Sequence, residues 1–256
     1  MKKLVTAMAA GGLLFTVSAS VLADGSSGPL DPKNFSATAT FTTDYVFRGI
    51  SNTTNGPAMQ GSFDWAYKGF NLGIWGSNTD FGVNESLELD GYGGYSWSWM
   101  GLDLNISGLY YSYPGNGGYV SPIDGHTVVD PGYGEAHFGV AHTFANVTFS
   151  PTVGADYYYS PSFYGQDGEG HYVDGTLSLA LPQDFALNGT VGWQTVAGDK
   201  STTGFDYGNW LIGVSKSLAG FNFDLNYQDT WHNQGVCGPG VDICDSRVVF
   251  SISRSM

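Results

Sequence analysis

The feature that most constrains this chain is a two-residue alternation of polar and apolar side chains, carried in segments of about ten residues and repeated along the sequence. Between Ser36 and Arg48, one face carries Ala37, Ala39, Phe41, Thr43, Tyr45 and Phe47, and the other Ser36, Thr38, Thr40, Thr42, Asp44, Val46 and Arg48. Successive side chains of a strand point to opposite faces, so the segment reads as a strand with one apolar and one polar face. The same alternation marks 58–67, 70–78, 85–97, 102–113, 133–143, 146–158, 170–181, 185–195, 207–217, 221–231 and 246–256. Tilted strands of roughly 9–11 residues cross bilayer hydrocarbon, and these twelve segments are near that length.

The connections sort into two kinds. Lys68-Gly69, 98–101, Phe144-Ala145, 182–184 and 218–220 are short, whereas 49–57, 79–84, 114–132, 159–169, 196–206 and 232–245 are longer and rich in Gly, Asn, Asp and Ser. Short and long alternate. Membrane barrels keep short turns on one side and long loops on the other, and a soluble sandwich has no reason to. Hydrocarbon offers the backbone no hydrogen-bond partners, so such a sheet must close on itself. The expected fold is therefore a closed antiparallel transmembrane β-barrel of about twelve strands. Pro57, Pro114, Pro122, Pro131, Pro161, Pro182 and Pro239 fall in or beside connections; Pro151 falls inside the expected strand 146–158, which implies a bulge or a displaced boundary. The 38 Gly, 16 Tyr, 16 Phe and 7 Trp suit turns and aromatic girdles, with Tyr45, Phe47, Trp65, Tyr67, Tyr95 and Trp97 expected outward.

Residues 1–23 read as a signal peptide: Lys2 and Lys3, an apolar run from Leu4 to Val17, and small residues before a cut after Ala23. The barrel domain is then 24–256, exported to a bacterial outer membrane. Loss of the two lysines takes the formal charge from −14 to −16, which excludes nucleic acid as a partner. Met256 is a non-aromatic last residue where bacterial barrels typically end on an aromatic one.

The strand phases place Asp44, Asp64, Glu88, Asp90, Asp103, Glu135, Asp156, Asp174 and Asp224 on the lumen face against two bases, Arg48 and Arg247. An acidic lining concentrates cations; alternatively the acids pair with those bases and with Tyr and Ser hydroxyls, and plug the interior. Asp44 and Arg48, four apart on one strand, would be about 13 Å from each other and unpaired. Arg48 suits a clamp on an external loop through a bidentate carboxylate bond, or attraction of acidic groups. Trp75, Tyr92 and Tyr111 face inward, to fill the lumen or to stack on a solute. Cys237 and Cys244 lie in one long connection and read as a disulfide rather than as metal ligands. His126, His137, His142, His171 and His232 are scattered without a catalytic spacing, and 115–118 lacks the setting of a phosphate loop.

Thr43-Asp44-Tyr45-Val46-Phe47-Arg48-Gly49-Ile50-Ser51 resembles the opening strand of the TorF-type porin family of proteobacteria. Glu88-Leu89-Asp90-Gly91-Tyr92, Tyr110 to Gly115 and Asn209 to Ser215 are similar to later segments of that family. The resemblance implies an outer-membrane location and a pore, and brings no catalytic residues. The expected function is a passive, cation-preferring channel for small hydrophilic solutes, without cofactor, metal or enzymatic activity. A non-conducting structural, adhesion or sensing barrel is the alternative, and an outer-membrane hydrolase a weaker one. Expected partners are outer-membrane lipids, small solutes or ions, and the barrel-insertion machinery.

Overall fold

A computed structural model describes residues 28–81, 86–115, 119–120, 127–128, 131–166, 168–198, 204–233, 235–237, 240 and 242–256. The expected signal peptide lies outside them, as does His126. In chain order the strands are β1 (Phe35–Thr42), β2 (Val46–Phe47), β3 (Ile50–Ser51), β4 (Ala58–Tyr67), β5 (Phe70–Asn78), β6 (Leu87–Trp99), β7 (Leu102–Ser112) and β8 (Tyr119–Val120). They continue as β9 (Thr127–Val128), β10 (Tyr133–Thr143), β11 (Thr152–Ser160), β12 (Gly170–Leu181), β13 (Phe185–Val196), β14 (Asp206–Leu218), β15 (Phe221–Trp231) and β16 (Arg247–Ser255). Twelve of them form one closed antiparallel barrel in the order β1-β16-β15-β14-β13-β12-β11-β10-β7-β6-β5-β4. The closing seam runs from Thr38 opposite Ser255 to Thr42 opposite Ser251. The short ribbons β2–β3 and β8–β9 stand apart from the wall.

Five strands, β4, β5, β10, β12 and β15, have the bounds that the alternation predicts. Two depart from it. β11 begins at Thr152, which leaves Pro151 in the preceding connection, where its missing N–H costs no ladder bond. That connection, 144–151, holds Phe149 and Ser150 at positive φ, and the Phe149 carbonyl accepts the Ala180 N–H at 2.7 Å. It is as long as 79–86 at the other end, so the short–long contrast is looser than the sequence implies. The second departure is β1, which stops at Thr42, six residues before Arg48.

The wall is inverted relative to a soluble protein. Ile74 is 63% exposed, and Phe63, Leu72, Ile106, Val191, Leu225 and Val248 are exposed with it. Asn188, Asn209, Asp224, Asn226, Gln228 and Ser253, on the opposite face, are buried. A continuous apolar exterior of this kind would be a liability in water and is what hydrocarbon requires. Aromatic pairs ring the end with the shorter turns, among them Phe70–Tyr95 with centroids 4.7 Å apart and Tyr95–Trp97 at 5.9 Å. Trp193–Trp231 and Trp210–Tyr227 stand toward the other end.

Candidate functional site

The interior is organised by the segment that leaves the wall after Thr42. β2 and β3 pair Val46 with Ser51 and Phe47 with Ile50, so Arg48-Gly49 is a two-residue turn. Both central residues have positive φ, 47° and 87°, the signature of the type I′ hairpin turn. Glycine is required at the second position for a further reason: a Cβ on Gly49 would lie 2.6 Å from Thr230 Cγ2 and 2.8 Å from Asn209 Cβ. The hairpin therefore presses its turn against the wall at β14 and β15.

Arg48, at the tip, crosses the barrel. In the strand order β11 lies diametrically opposite β1, and the groups that receive the guanidinium come from β10 to β13. Arg48 donates to Glu135 through both terminal nitrogens, at 2.9 and 2.8 Å, and to Gln194 Oε1 at 2.8 Å. Its guanidinium carbon lies 4.2 Å from the Tyr172 ring centroid, 4.9 Å from that of Tyr158 and 4.7 Å from that of Phe47. The Tyr111 hydroxyl donates to Glu135 at 2.9 Å. Arg48 and Glu135 are both buried, and a buried pair of this kind is stable only with such full hydrogen bonding.

The base of the hairpin is tied to the last long connection. Asp44 accepts from Ser51 and Thr53 hydroxyls at 2.6 and 2.9 Å and from Arg247 at 2.8 Å. Arg247 also donates to Asn55 and to the Asp242 and Asp245 carbonyls. The Ser51 N–H bonds the Ile243 carbonyl at 2.9 Å, next to the disulfide Cys237–Cys244. Tyr45 donates to Glu88 at 3.1 Å and packs on Trp75. Tyr45 and Phe47, expected in an outer girdle, are thus interior residues. Asp44 and Arg48 likewise belong to the hairpin and not to a wall strand.

Around the tip, Leu109, Tyr111, Tyr113, Tyr133, Phe163 and Val196 form a buried apolar cluster, against which Phe47, Phe81, Tyr164 and Phe205 pack. At this level every wall strand contributes a buried side chain, from Thr42 and Ala58 through Glu88, Tyr111, Glu135, Tyr158, Tyr172 and Gln194 to Asn209, Thr230 and Val249, with Ser77 on β5. The water-filled lumen that the sequence suggests is here packed with the chain's own hairpin. Toward the shorter turns the interior is polar and half-buried, with Asp64, Ser96, Asn105, Ser107, Thr176 and Ser178.

The predicted lumen acids occupy different situations. Glu135 and Asp44 meet arginines; Asp64 accepts from Ser62 at 2.7 Å and from Tyr92; Asp156 faces His137. Asp103 is exposed at the short-turn rim, bonded to Ser98, and does not join the others. Among the described residues, both carboxylate oxygens of Asp90, one of Glu88 and one of Asp174 lack a hydrogen-bond partner, and Asp224 is buried beside Asn226 and Ser251 on the same inner face.

The sequence did not bring one constellation together. His137 Nδ1 lies 2.9 Å from Ser107 Oγ and its Nε2 2.7 Å from Asp156 Oδ1, while the ring stacks on Tyr158 at 4.4 Å. Gly139 makes room for this line, since a Cβ there would fall 2.4 Å from Asp156 Oδ1. Asp156 can orient the ring so that Nδ1 accepts the Ser107 proton; in the other tautomer an Nδ1–H donates to Asn105 Oδ1 at 3.1 Å. The three residues are separated by 30 and 19 positions in the chain, and their shared inward phase is the one signal that could have grouped them. Among the other described histidines, His142 donates to the Gly101 carbonyl, His171 bonds Tyr157, and His232 stacks on Trp193. Among the described residues no group of three or more His, Cys, Asp or Glu could hold a metal ion.

No curated protein matches the sequence. Among solved structures, the KdgM porin in complex with disordered oligogalacturonate aligns over 86% of this chain and 99% of its own, with 9% identity and a TM-score of 0.53. The NanC porin aligns over 86% and 97% at 10% identity with a TM-score of 0.48, and Salmonella typhi OmpF over 80% and 65% at 9% identity with a TM-score of 0.42. At such identities the likeness is one of fold, that of the outer-membrane porin barrels. The model of a bacterial family of unknown function, Gcw_chp, matches residues 26–256, and the chain belongs to that family.

Proposed function

We propose that this protein is an outer-membrane diffusion channel for small hydrophilic solutes, selective for cations and closed at rest by the hairpin 43–57. The reading agrees with the resemblance to TorF-type porins. It is carried by one observation: a barrel with an apolar outside and an acid-rich inside is occluded by a hairpin whose tip and base are held by ion pairs and hydrogen bonds, and whose Phe47 packs on an apolar cluster of the wall and loops. Twelve strands enclose a lumen between that of filled eight-stranded barrels and that of open porins, so withdrawal of one hairpin leaves room for a small solute. Eight acids face the interior or stand on the hairpin, Asp44, Asp64, Glu88, Asp90, Glu135, Asp156, Asp174 and Asp224, against Arg48 and Arg247. That balance disfavours a polyanion such as the oligogalacturonate of the KdgM complex and favours cations.

The test is conductance in planar bilayers. The wild type is expected to pass current in brief openings, and a variant lacking 45–53 to conduct continuously, with reversal potentials in a salt gradient that mark cation preference. Absence of current in both would remove the channel reading and leave a structural, adhesive or sensing barrel. The Ser107–His137–Asp156 line supports a second reading, an esterase-type hydrolase working from the short-turn side. A fluorophosphonate that labels Ser107 in folded protein, and not in Ser107→Ala, would favour it; an unlabelled serine would eliminate it.

A further inference from the structure

We propose that the wall facing the hairpin tip is a recognition site for solutes bearing a guanidinium group, and that Arg48 occupies it as an internal stand-in. The inference rests on the reading of the hairpin as a removable plug. A guanidinium is planar, offers its N–H groups as a fork, and binds best to a bidentate carboxylate with aromatic faces against its plane. The wall supplies these parts from separate strands: both oxygens of Glu135 on β10, the amide oxygen of Gln194 on β13, and the rings of Tyr158 on β11 and Tyr172 on β12.

The wall parts are bonded to one another, besides the edge contact that Phe47 of the hairpin makes with Tyr111 at 5.8 Å. Tyr111 fixes Glu135 through a 2.9 Å bond, the Tyr172 hydroxyl donates to Asn209 at 3.1 Å, and Tyr158 is backed by His137, which Asp156 holds. The site therefore keeps its shape when the tip leaves. Of the groups around the cation, Phe47 alone belongs to the hairpin. An alkylammonium, as a point charge, would satisfy Glu135 but not the fork or the stacked faces, so the wall discriminates between the two cation types. Because solute and Arg48 claim the same groups, entry of a guanidinium solute and retention of the plug are mutually exclusive.

The experiment compares methylguanidinium with methylammonium at equal ionic strength on full-length protein, folded by its heat-modifiable mobility on gels. In wild-type bilayers, millimolar methylguanidinium is expected to raise the open fraction several-fold and methylammonium to leave it unchanged. In Arg48→Ala, calorimetry in detergent is expected to show methylguanidinium binding at least tenfold tighter than methylammonium, lost on adding Glu135→Gln. Arg48→Lys, which keeps the charge without the fork, serves if Arg48→Ala does not fold. Equal binding of the two cations, or none of either, would overturn the proposal and leave Arg48 as a structural pin. The calorimetry does not depend on current, so failure of the channel reading shows separately, as Arg48→Ala protein that binds methylguanidinium but does not conduct.

Discussion

Two residues at the hairpin tip do unlike work. Arg48 is long enough to reach the far wall and planar enough to use Glu135 bidentately, whereas Gly49 matters for what it lacks. Gly49→Ala places a methyl group into Thr230 and Asn209 at positive φ, so the turn must back away from β14 and β15. The variant is expected to fold as a barrel and to show a higher open fraction in bilayers, with unchanged ion preference. Glu135→Gln removes the charge that compensates Arg48; leaving a buried charge unpaired costs about 3–5 kcal/mol, enough to release the tip. Its thermal transition, followed by the mobility shift on gels, is expected to fall below that of the wild type. Normal stability together with normal closure would show that the pair is not what holds the plug.

The hairpin and the last long connection act as one latch. Ser51 bonds the Ile243 carbonyl, Arg247 bonds Asp44, and Thr230 bonds the Cys244 carbonyl at 2.8 Å, so the disulfide holds the strut on which the hairpin base rests. A bridge across seven positions removes roughly 2–3 kcal/mol of loop entropy from the open chain. Its reduction should leave the barrel intact, because none of the wall's ladder bonds passes through it, but should loosen the latch. The expected outcome is a reversible rise in conductance with a thiol reductant, absent in the Cys237→Ser/Cys244→Ser double variant, which conducts more from the start. An unchanged wild-type current under reductant would detach the disulfide from gating. Length gave no warning of the turn inward, because the thirteen residues from Ser36 to Arg48 equal the length of the wall strands β6 and β14.

For the whole barrel, the proposed selectivity would follow from acid inside a low-dielectric wall. Asp90, Asp174 and Asp224 face the interior with no arginine bonded to them, so the open state is expected to prefer cations, and the preference to shrink as salt rises and the screening length falls from about 10 Å at 0.1 M to about 3 Å at 1 M. Reversal potentials across that salt range measure it; Asp90→Asn/Asp174→Asn should weaken the cation preference, and anion selectivity in the wild type would contradict it. The number of wall strands, their faces, the aromatic exterior and the cysteine pair were legible in the sequence because each rests on local periodicity or on spacing within one connection. The path of residues 43–57 was not, because a type I′ hairpin keeps the two-residue alternation of the strand before it and so looks the same residue by residue. Whether the chain continues in the wall or turns inward depends on partners far away in sequence: Glu135, Gln194, Tyr158 and Tyr172 for the tip, Arg247 and Ile243 for the base. Only the closed barrel places the tip's partners opposite β1 and the base's partners beside it, where the buried guanidinium finds hydrogen bonds and ring faces that offset its lost water.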